Sequence, residues 1–569
     1  MDIKNKSVLV LGGWGLVGSA VCRQMMHEEP KRIIVTSLLE SEAREAVATM
    51  QHEYPKAGRN FFVPWWGNIF VRHELKDTPR EEILRNEQTR AVLIDDLLDE
   101  LTLEVVRRSS IYRLMDQYKP DIVIDCINSA TAIAYQDLFQ SAREVRKSIK
   151  QARGGSASKL VEQTERLLAT LYTPQLIRHV QLLYRSMQLV DTTIYVKIGT
   201  SGTGGMGLNI PYTHSEERPS SVLLSKSAVA GAHTMLLFLM GRTPDAPITK
   251  EIKPTAAIAW KRIGFGEIKK RGKTIELYDC PPDRGVQLTG TLKLKMENSP
   301  AQSLQRPLRS VFIDTGENGI FSRGEFETIS TPGQMEFVTP EEIAESVLYE
   351  IRGGNTGHDI INALDNATLN PTYRAGFMVE AAMQQMKRLE KEHNTKSVAF
   401  EILGPPRLSK LLHEAHLLQL AYETMLSVAK SSAKLMAGTL EDLVKRDADI
   451  RSRIISIGIP ILLSDGKTLL RADEIKVPPY RGENELSISA KAVDAWAHDG
   501  WIDLRVKNME HWKRRFSTIM QDVKDIPAME SSSRSFRNKA YWNDFREIDP
   551  GKMVGWIFSE EEKGKRMKA

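Results

Sequence analysis

Short apolar runs of strand length recur through the first 260 residues, separated by turns and by stretches with helical periodicity. The run Ser-Val-Leu-Val-Leu at 7–11 has the pattern of a strand covered on both faces. A glycine turn, a helix over about 16–27 and a second strand over 32–36 follow it. That order is a βαβ unit, which predicts a right-handed crossover and a parallel sheet. Further strands are expected at 61–69, at 121–126 behind Lys119-Pro120, at 193–198 and at 252–260. Residues 70–118 are charged, helical in pattern and longer than an ordinary crossover, so they read as an insertion. Residues 136–189 are helical, rich in Gln, Arg and Leu, and broken at Gly154-Gly155; 221–240 read as a helix with an apolar face. From 265 to 335 the chain is polar and turn-rich, and alternation at 287–295 suggests a hairpin. Thr339 is an expected N-cap, with Glu341 and Glu342 in the first turn of a helix over 339–352. Beyond 370 helical patterns dominate, most clearly Leu-Leu-His-Glu-Ala-His-Leu-Leu at 411–418, with a short strand at 457–463.

The turn after the first strand reads Leu11-Gly12-Gly13-Trp14-Gly15-Leu16-Val17-Gly18, which contains Gly-x-x-Gly-x-x-Gly. Gly12 permits the tight turn, Gly15 lets backbone approach an anion, and Gly18 lets helix pack closely on strand. The exposed N–H groups and dipole of the helix start favour a pyrophosphate. Between a strand and a helix, the motif predicts a dinucleotide site held by Gly12, Gly13, Trp14, Gly15, Leu16, Val17 and Gly18. The second strand ends at Thr36-Ser37, with no acid to hold ribose hydroxyls before Glu40. A neutral end at Ser37, with Arg44 in reach of a 2′-phosphate, favours NADP, with NAD as the alternative. The expected fold is α/β, a doubly wound parallel sheet of the Rossmann kind with a substrate subdomain and a mainly helical C-terminal region. The expected boundaries are 1–260, 261–370 and 371–569.

Composition narrows the class. The chain has 569 residues, 41% hydrophobic and 27% charged, and its 78 basic and 73 acidic residues nearly balance, so no nucleic-acid footprint is expected. Cys22, Cys126 and Cys280 lie far apart, which argues against a zinc site or disulfide framework and for a reduced, cytoplasmic setting. No apolar run approaches a membrane span. No metal is expected: His413 and His416 stand three apart on one helix without a third ligand nearby and read as helix-surface histidines. Trp496, Trp501, Trp512, Trp542 and Trp556 are expected to bury apolar area in a C-terminal module.

Over roughly residues 5–365 the chain resembles the extended short-chain dehydrogenase/reductase superfamily. Gly12, Gly15 and Gly18 match its glycine pattern; Gly67-Asn68-Ile69 resembles its adenine-contacting Gly-Asp-Ile/Val, with Asn68 for Asp; Lys119-Pro120-Asp121-Ile122-Val123-Ile124 resembles its fourth strand; and Phe337 to Ala344 resembles its late Phe-x-x-Val-x-Asp-x-Ala segment. The resemblance implies that Asn68, Ile69 and Asn128 border the cofactor. It also implies a hydroxyl at the end of the fifth strand, Thr200 or Ser201, that orients a carbonyl. Ser225-Lys226 matches the family's Ser/Thr-Lys pair, which makes Lys226 the lysine of the nicotinamide ribose. Four residues before it, Val222 stands where the family has its tyrosine, and no Tyr-x-x-x-Lys occurs in the chain.

Two readings follow. In one, another acid replaces the tyrosine: Tyr212, with His214 and Glu216 nearby, in the loop ahead of the helix. In the other, the domain binds NADP without ordinary carbonyl chemistry and serves a regulatory or assembly role. The first implies an oxidoreductase acting by hydride transfer on an alcohol, ketone or sugar-like small molecule. Helices over 136–189 and 221–240 are the expected homodimer contact.

Overall fold

A computed structural model describes the chain except residues 135, 137, 153–157, 200–220, 255, 271, 317–318, 332–336, 355–371, 403–404, 481, 531–534 and 563–569. It divides into two compact units. The first comprises 1–205, 219–259 and 337–377; the second comprises 206–218, 260–336 and 378–569.

The first unit is built on six parallel strands: β1 (Ser7–Leu11), β2 (Arg32–Ser37), β3 (Phe62–Trp66), β4 (Ile122–Asp125), β5 (Ile194–Ile198) and β6 (Ile248–Ile252). Their order is β3-β2-β1-β4-β5-β6, the doubly wound arrangement that the βαβ opening predicts. Strand alternation sends Val8, Val10, Ile33, Val35, Ile124 and Val196 into one core, closed by Val21 and Met25 of helix α1 (Leu16–Met25). The intervening Leu9, Leu11, Ile34, Val123 and Tyr195 enter a second core beneath the helix Tyr172–Leu189. Both faces are therefore buried, which is why these strands read as continuous apolar runs. The late helix Pro340–Ile351 starts on a capping box between Thr339 and Glu342 and packs Ala344, Val347 and Leu348 into the first core.

One strand was placed wrongly by its hydropathy. The apolar stretch 252–260 is the end of β6 and a separate pair, Ala256–Ala257, that lies parallel to Phe337–Val338. Pro254 separates the two pieces, since it has no N–H to give a ladder. Among the described residues no helix is long and apolar enough to cross a membrane.

The second unit mixes small sheets with helices. A four-stranded sheet orders Val286–Gln287, Thr468–Leu470, Ile461–Leu462 and Ile502–Asp503. The expected hairpin at 287–295 is absent: Val286 and Gln287 pair with Leu469 and Thr468, while Thr291–Lys293 pairs with Glu485–Ser487. Leu288, Leu292 and Leu294 enter a core with Leu462, Leu469 and Trp501, so both halves take distant partners. Trp501 and Trp512 are fully buried, each with its indole N–H satisfied, by Val477 O at 2.7 Å and Glu414 Oε2 at 2.8 Å.

The helix Pro406–Tyr422 is buried continuously from Arg407 to Leu418, so His413 and His416 are interior rather than surface residues. Packing on all sides leaves residues 407–418 no polar surface stripe, and only the last turn, with Leu420, is exposed. Burial pushes their imidazoles down, to about 3 and about 4, so both are neutral.

A buried acid pair in this unit gives a pH dependence. Burial and the neighbouring Asp549 push the Glu327 carboxyl up to about 8, and Arg323 Nη1 donates to Glu327 at 2.8 Å. A free glutamate titrates near ~4.3, so the folded unit holds a proton that the unfolded chain releases. Stability contributed by this proton is full below the unfolded value and falls as pH rises toward 8. Thermal unfolding between pH 5 and 8 is expected to show that decline, and Glu327→Gln to flatten it; a wild-type curve already flat there contradicts the shared proton.

Candidate functional site

The candidate dinucleotide crevice lies at the carboxyl ends of β1 and β4, where the strand order reverses, the point at which such sheets bind ligands. Gly12 takes φ +75° and turns the chain out of β1; its N–H donates to Thr36 Oγ1 at 3.2 Å, and that of Gly13 to Thr36 O at 2.8 Å. Thr36 thus ties the turn to the end of β2. Gly15 is the N-cap of α1 and gives no side-chain cap, so the first-turn N–H groups of Leu16 and Val17 remain for an anion. A Cβ on Gly18 would stand 2.2 Å from Gly12 O, and one on Gly13 would stand 2.5 Å from Val35 Cγ1. Trp14 packs partly on the first core and donates from its indole to Glu45 Oε2 at 3.3 Å.

Ser37 ends β2, and Arg44 lies on the helix that follows it. Arg44 pairs with Glu40 at 2.7 Å and lies 5.0 Å over the ring of Trp66. Ser37 donates to Glu42 Oε2 at 2.6 Å. Sequence reading missed Glu42, because the acid reaches the strand end from α2 (Glu40–Glu53) rather than from the strand itself. Asn68 Oδ1 accepts from Phe70 N at 2.9 Å, which fixes the exit of β3, and Ile69 is buried. Asn128 follows β4 at the crevice.

Below the carboxyl ends of β4, β5 and β6 lies a buried polar cluster that the sequence did not announce. Asp125 and Lys197 are directly opposed in the β4–β5 register and form an ion pair at 3.0 Å. Asp125 also accepts from Tyr195 OH at 2.8 Å and from Ile127 N at 2.9 Å. Lys197 donates to Ile127 O and, at 3.4 Å, to Ser129 Oγ. Although burial opposes it, Lys197 holds Asp125 below its usual range.

His233, on the helix Ser221–Gly241, and His179 have ring centres 6.0 Å apart. Burial drives both imidazoles down, His179 to about 4 and His233 well below its usual range. On β6, burial raises the Glu251 carboxyl, which accepts from Thr234 Oγ1 at 3.3 Å. The Nε2 atoms of both histidines and Glu251 Oε2 have no protein partner. A cavity of about 10 Å³ between Asn128, Lys197, Gly199, His233 and Glu251 opens the cluster toward the strand ends. The available signal in the sequence was a pair of opposite charges, Asp125 and Lys197, inside otherwise apolar strands.

Lys226 is buried on the same helix as His233, at 4% exposure. Thr200, Ser201, Tyr212, His214 and Glu216 lie outside the described residues, as does the side chain of Val222. Among the described residues no group of three or more His, Cys, Asp or Glu could hold a metal ion.

A family model described as beta-methylindole-3-pyruvate reductase C-terminal domain matches residues 277–562, slightly more than half of the chain. Solved structures that resemble the chain include Pen from Bacillus thuringiensis, at 14% identity and a TM-score of 0.22, over 48% of this chain and 56% of that one. A short-chain dehydrogenase from Sphingobium yanoikuyae in complex with NADPH matches at 13% identity and a TM-score of 0.22, over 44% and 72%. The Bordetella bronchiseptica enzyme WbmH in complex with NAD+ matches at 10% identity and a TM-score of 0.27, over 68% and 99%. A search of curated proteins finds no match. The chain belongs to the family of the beta-methylindole-3-pyruvate reductase C-terminal domain, which it joins to a unit built on a doubly wound parallel sheet.

Proposed function

We propose that the protein is an NAD(P)-dependent oxidoreductase that transfers hydride between a nicotinamide and a small alcohol or ketone. One observation carries this reading: an uncapped glycine turn at the β1–β4 switch in strand order, closed so tightly that Gly18 admits no side chain. The name of the matching family adds 2-oxo acids to the candidate ketones, beside sugar-like substrates. When bound, the nicotinamide supplies or accepts the hydride. Lys226 holds its ribose, Thr200 or Ser201 orients the carbonyl oxygen, and Tyr212 exchanges the proton in place of the residue at Val222.

NADP is the proposed cofactor, with Arg44 on its 2′-phosphate. Glu42 works against that choice, since a carboxylate beside Ser37 accepts a ribose hydroxyl and repels a phosphate. A cytoplasmic homodimer belongs to the same proposal. Val222 favours one rival reading, a regulatory or assembly protein that binds NADP without turnover.

Fluorescence titration with NADPH and NADH, followed by assay on 2-oxo acids, ketones and alcohols, tests the whole. NADPH is expected to bind, and Arg44→Ala to weaken it by about tenfold with NADH unaffected, the loss of a charge-assisted contact. Stronger NADPH binding in Glu42→Gln with no effect of Arg44→Ala identifies NAD instead. Tyr212→Phe is expected to lower turnover by roughly 10²–10⁴. Binding of neither dinucleotide overturns the proposal, and binding without turnover supports its rival.

A further inference from the structure

The second unit contains a cavity of about 880 Å³, within the size range of pockets for small organic molecules. Its walls come from the helix Pro406–Tyr422, the end of the helix Tyr373–Glu392, the start of the helix Ala448–Ser456 and the segment 547–550. Two buried groups reach it with hydrogen-bonding capacity left over. Arg323 is clamped by two acids, Nε to Glu390 at 2.9 Å and Nη1 to Glu327 at 2.8 Å, and its Nη2 bonds no described residue. His413 is 5% exposed, and its Nε2 is buried without a protein partner. His416 beside it is held through Nδ1 by Gln419 Oε1 at 3.1 Å.

The charge on the wall is uneven in what remains uncommitted. All five lining acids are engaged. Glu390 holds Arg323, Asp449 holds Arg306 and Arg453, Asp447 and Asp549 cap helices, and Glu547 accepts from Asn543. Lys387 and Lys391, one turn apart, and Lys396 line the cavity without an ion pair to a described residue. A guanidinium held rigid by the Glu390 carboxylate and the Glu327 carboxyl, beside a neutral imidazole and under three ammonium groups that form no ion pair with a described residue, is suited to an anion.

We propose that this cavity is a binding site for a small organic anion, whose carboxylate or phosphate is taken by Arg323 Nη2 and His413 Nε2 beneath the Lys387–Lys391–Lys396 rim. The site lies wholly in the second unit and is independent of the proposed dinucleotide chemistry. Its donors discriminate by charge, while the volume left over accommodates an aryl or alkyl body. Neutral analogues of the same shape gain only the latter.

The test uses the full chain with labelled histidine rings, titrated with phenylpyruvate, phenyl phosphate and neutral acetophenone, read by imidazole NMR and calorimetry. At least one anion is expected to shift the His413 resonance saturably, while acetophenone does not; the tighter anion assigns carboxylate or phosphate. His413→Asn is expected to weaken that binding by about tenfold or more, the cost of a hydrogen bond to a charged group. The paired change Lys387→Glu with Lys391→Glu, on exposed positions that leave the fold intact, is expected to do the same. His413 and His416 resonances that stay fixed under saturating anion, or anion binding indifferent to the lysine changes, overturn the proposal. A parallel NADPH titration, and anion binding in a Gly18→Ala chain, separate this outcome from failure of the dinucleotide reading.

Discussion

Replacing Gly18 by alanine is expected to abolish the proposed dinucleotide binding. The added methyl carbon would stand 2.2 Å from Gly12 O, 2.8 Å from Gly13 Cα and 2.9 Å from Gly12 C, all of them backbone atoms. No side-chain rotation relieves that contact. Either α1 moves away from β1, or the turn at Gly12 opens and gives up its donations to Thr36. Both responses displace the first-turn N–H groups from the place where a pyrophosphate would meet them. NADPH fluorescence titration of the variant is expected to show no binding at concentrations that saturate the parent. The unfolding free energy should fall by roughly 1–3 kcal/mol, the usual range for overpacking. Gly231→Ala is the matched control, because a Cβ there meets nothing within 4 Å on a helix of the same unit. It is expected to keep native binding and to gain as much as about 1 kcal/mol of stability. Native affinity in the Gly18 variant would remove the pyrophosphate from this turn.

The first unit was legible where local pattern and global packing agree. β1 and α1 begin where the apolar run and the glycine spacing place them, and β2 and β5 fall within a residue of expectation. Such strands are covered on both faces, so their hydrophobicity announces them without knowledge of partners. Legibility failed where the partner is distant. Thr291–Lys293 pairs with a strand nearly two hundred residues on, so its alternation mimicked a local hairpin. His413 and His416 look like the polar stripe of a surface helix until packing closes on every side. Charge inside the sheet was hidden for the same reason. Asp125 and Lys197 are over seventy residues apart, and only the parallel register of β4 on β5 sets them face to face. The crevice was therefore readable from its glycines, whereas the polar cluster beneath it depends on the assembled sheet.

That hidden pair leads to the second large effect: Asp125→Ala should cost the first unit roughly 3–5 kcal/mol, the range for breaking one side of a buried ion pair. Asp125 is wholly buried and accepts from Lys197, Tyr195 OH and Ile127 N. Removing its carboxylate leaves an ammonium group at 2% side-chain exposure with only Ile127 O and Ser129 Oγ as acceptors, and strands a buried phenol. The melting temperature of this unit is expected to drop by at least about 6 °C, taking ~2 °C per kcal/mol. The end of β4 also carries Asn128 and Ser129 to the crevice, so NADPH affinity should fall with it. Asp125→Leu combined with Lys197→Met removes both charges, and is expected to recover most of the stability lost by Asp125→Ala alone. Equal losses in the single and double variants would mean that shape rather than charge is what the pair contributes. A loss below about 1 kcal/mol in the single variant would place the ammonium in contact with water and dissolve the buried cluster altogether.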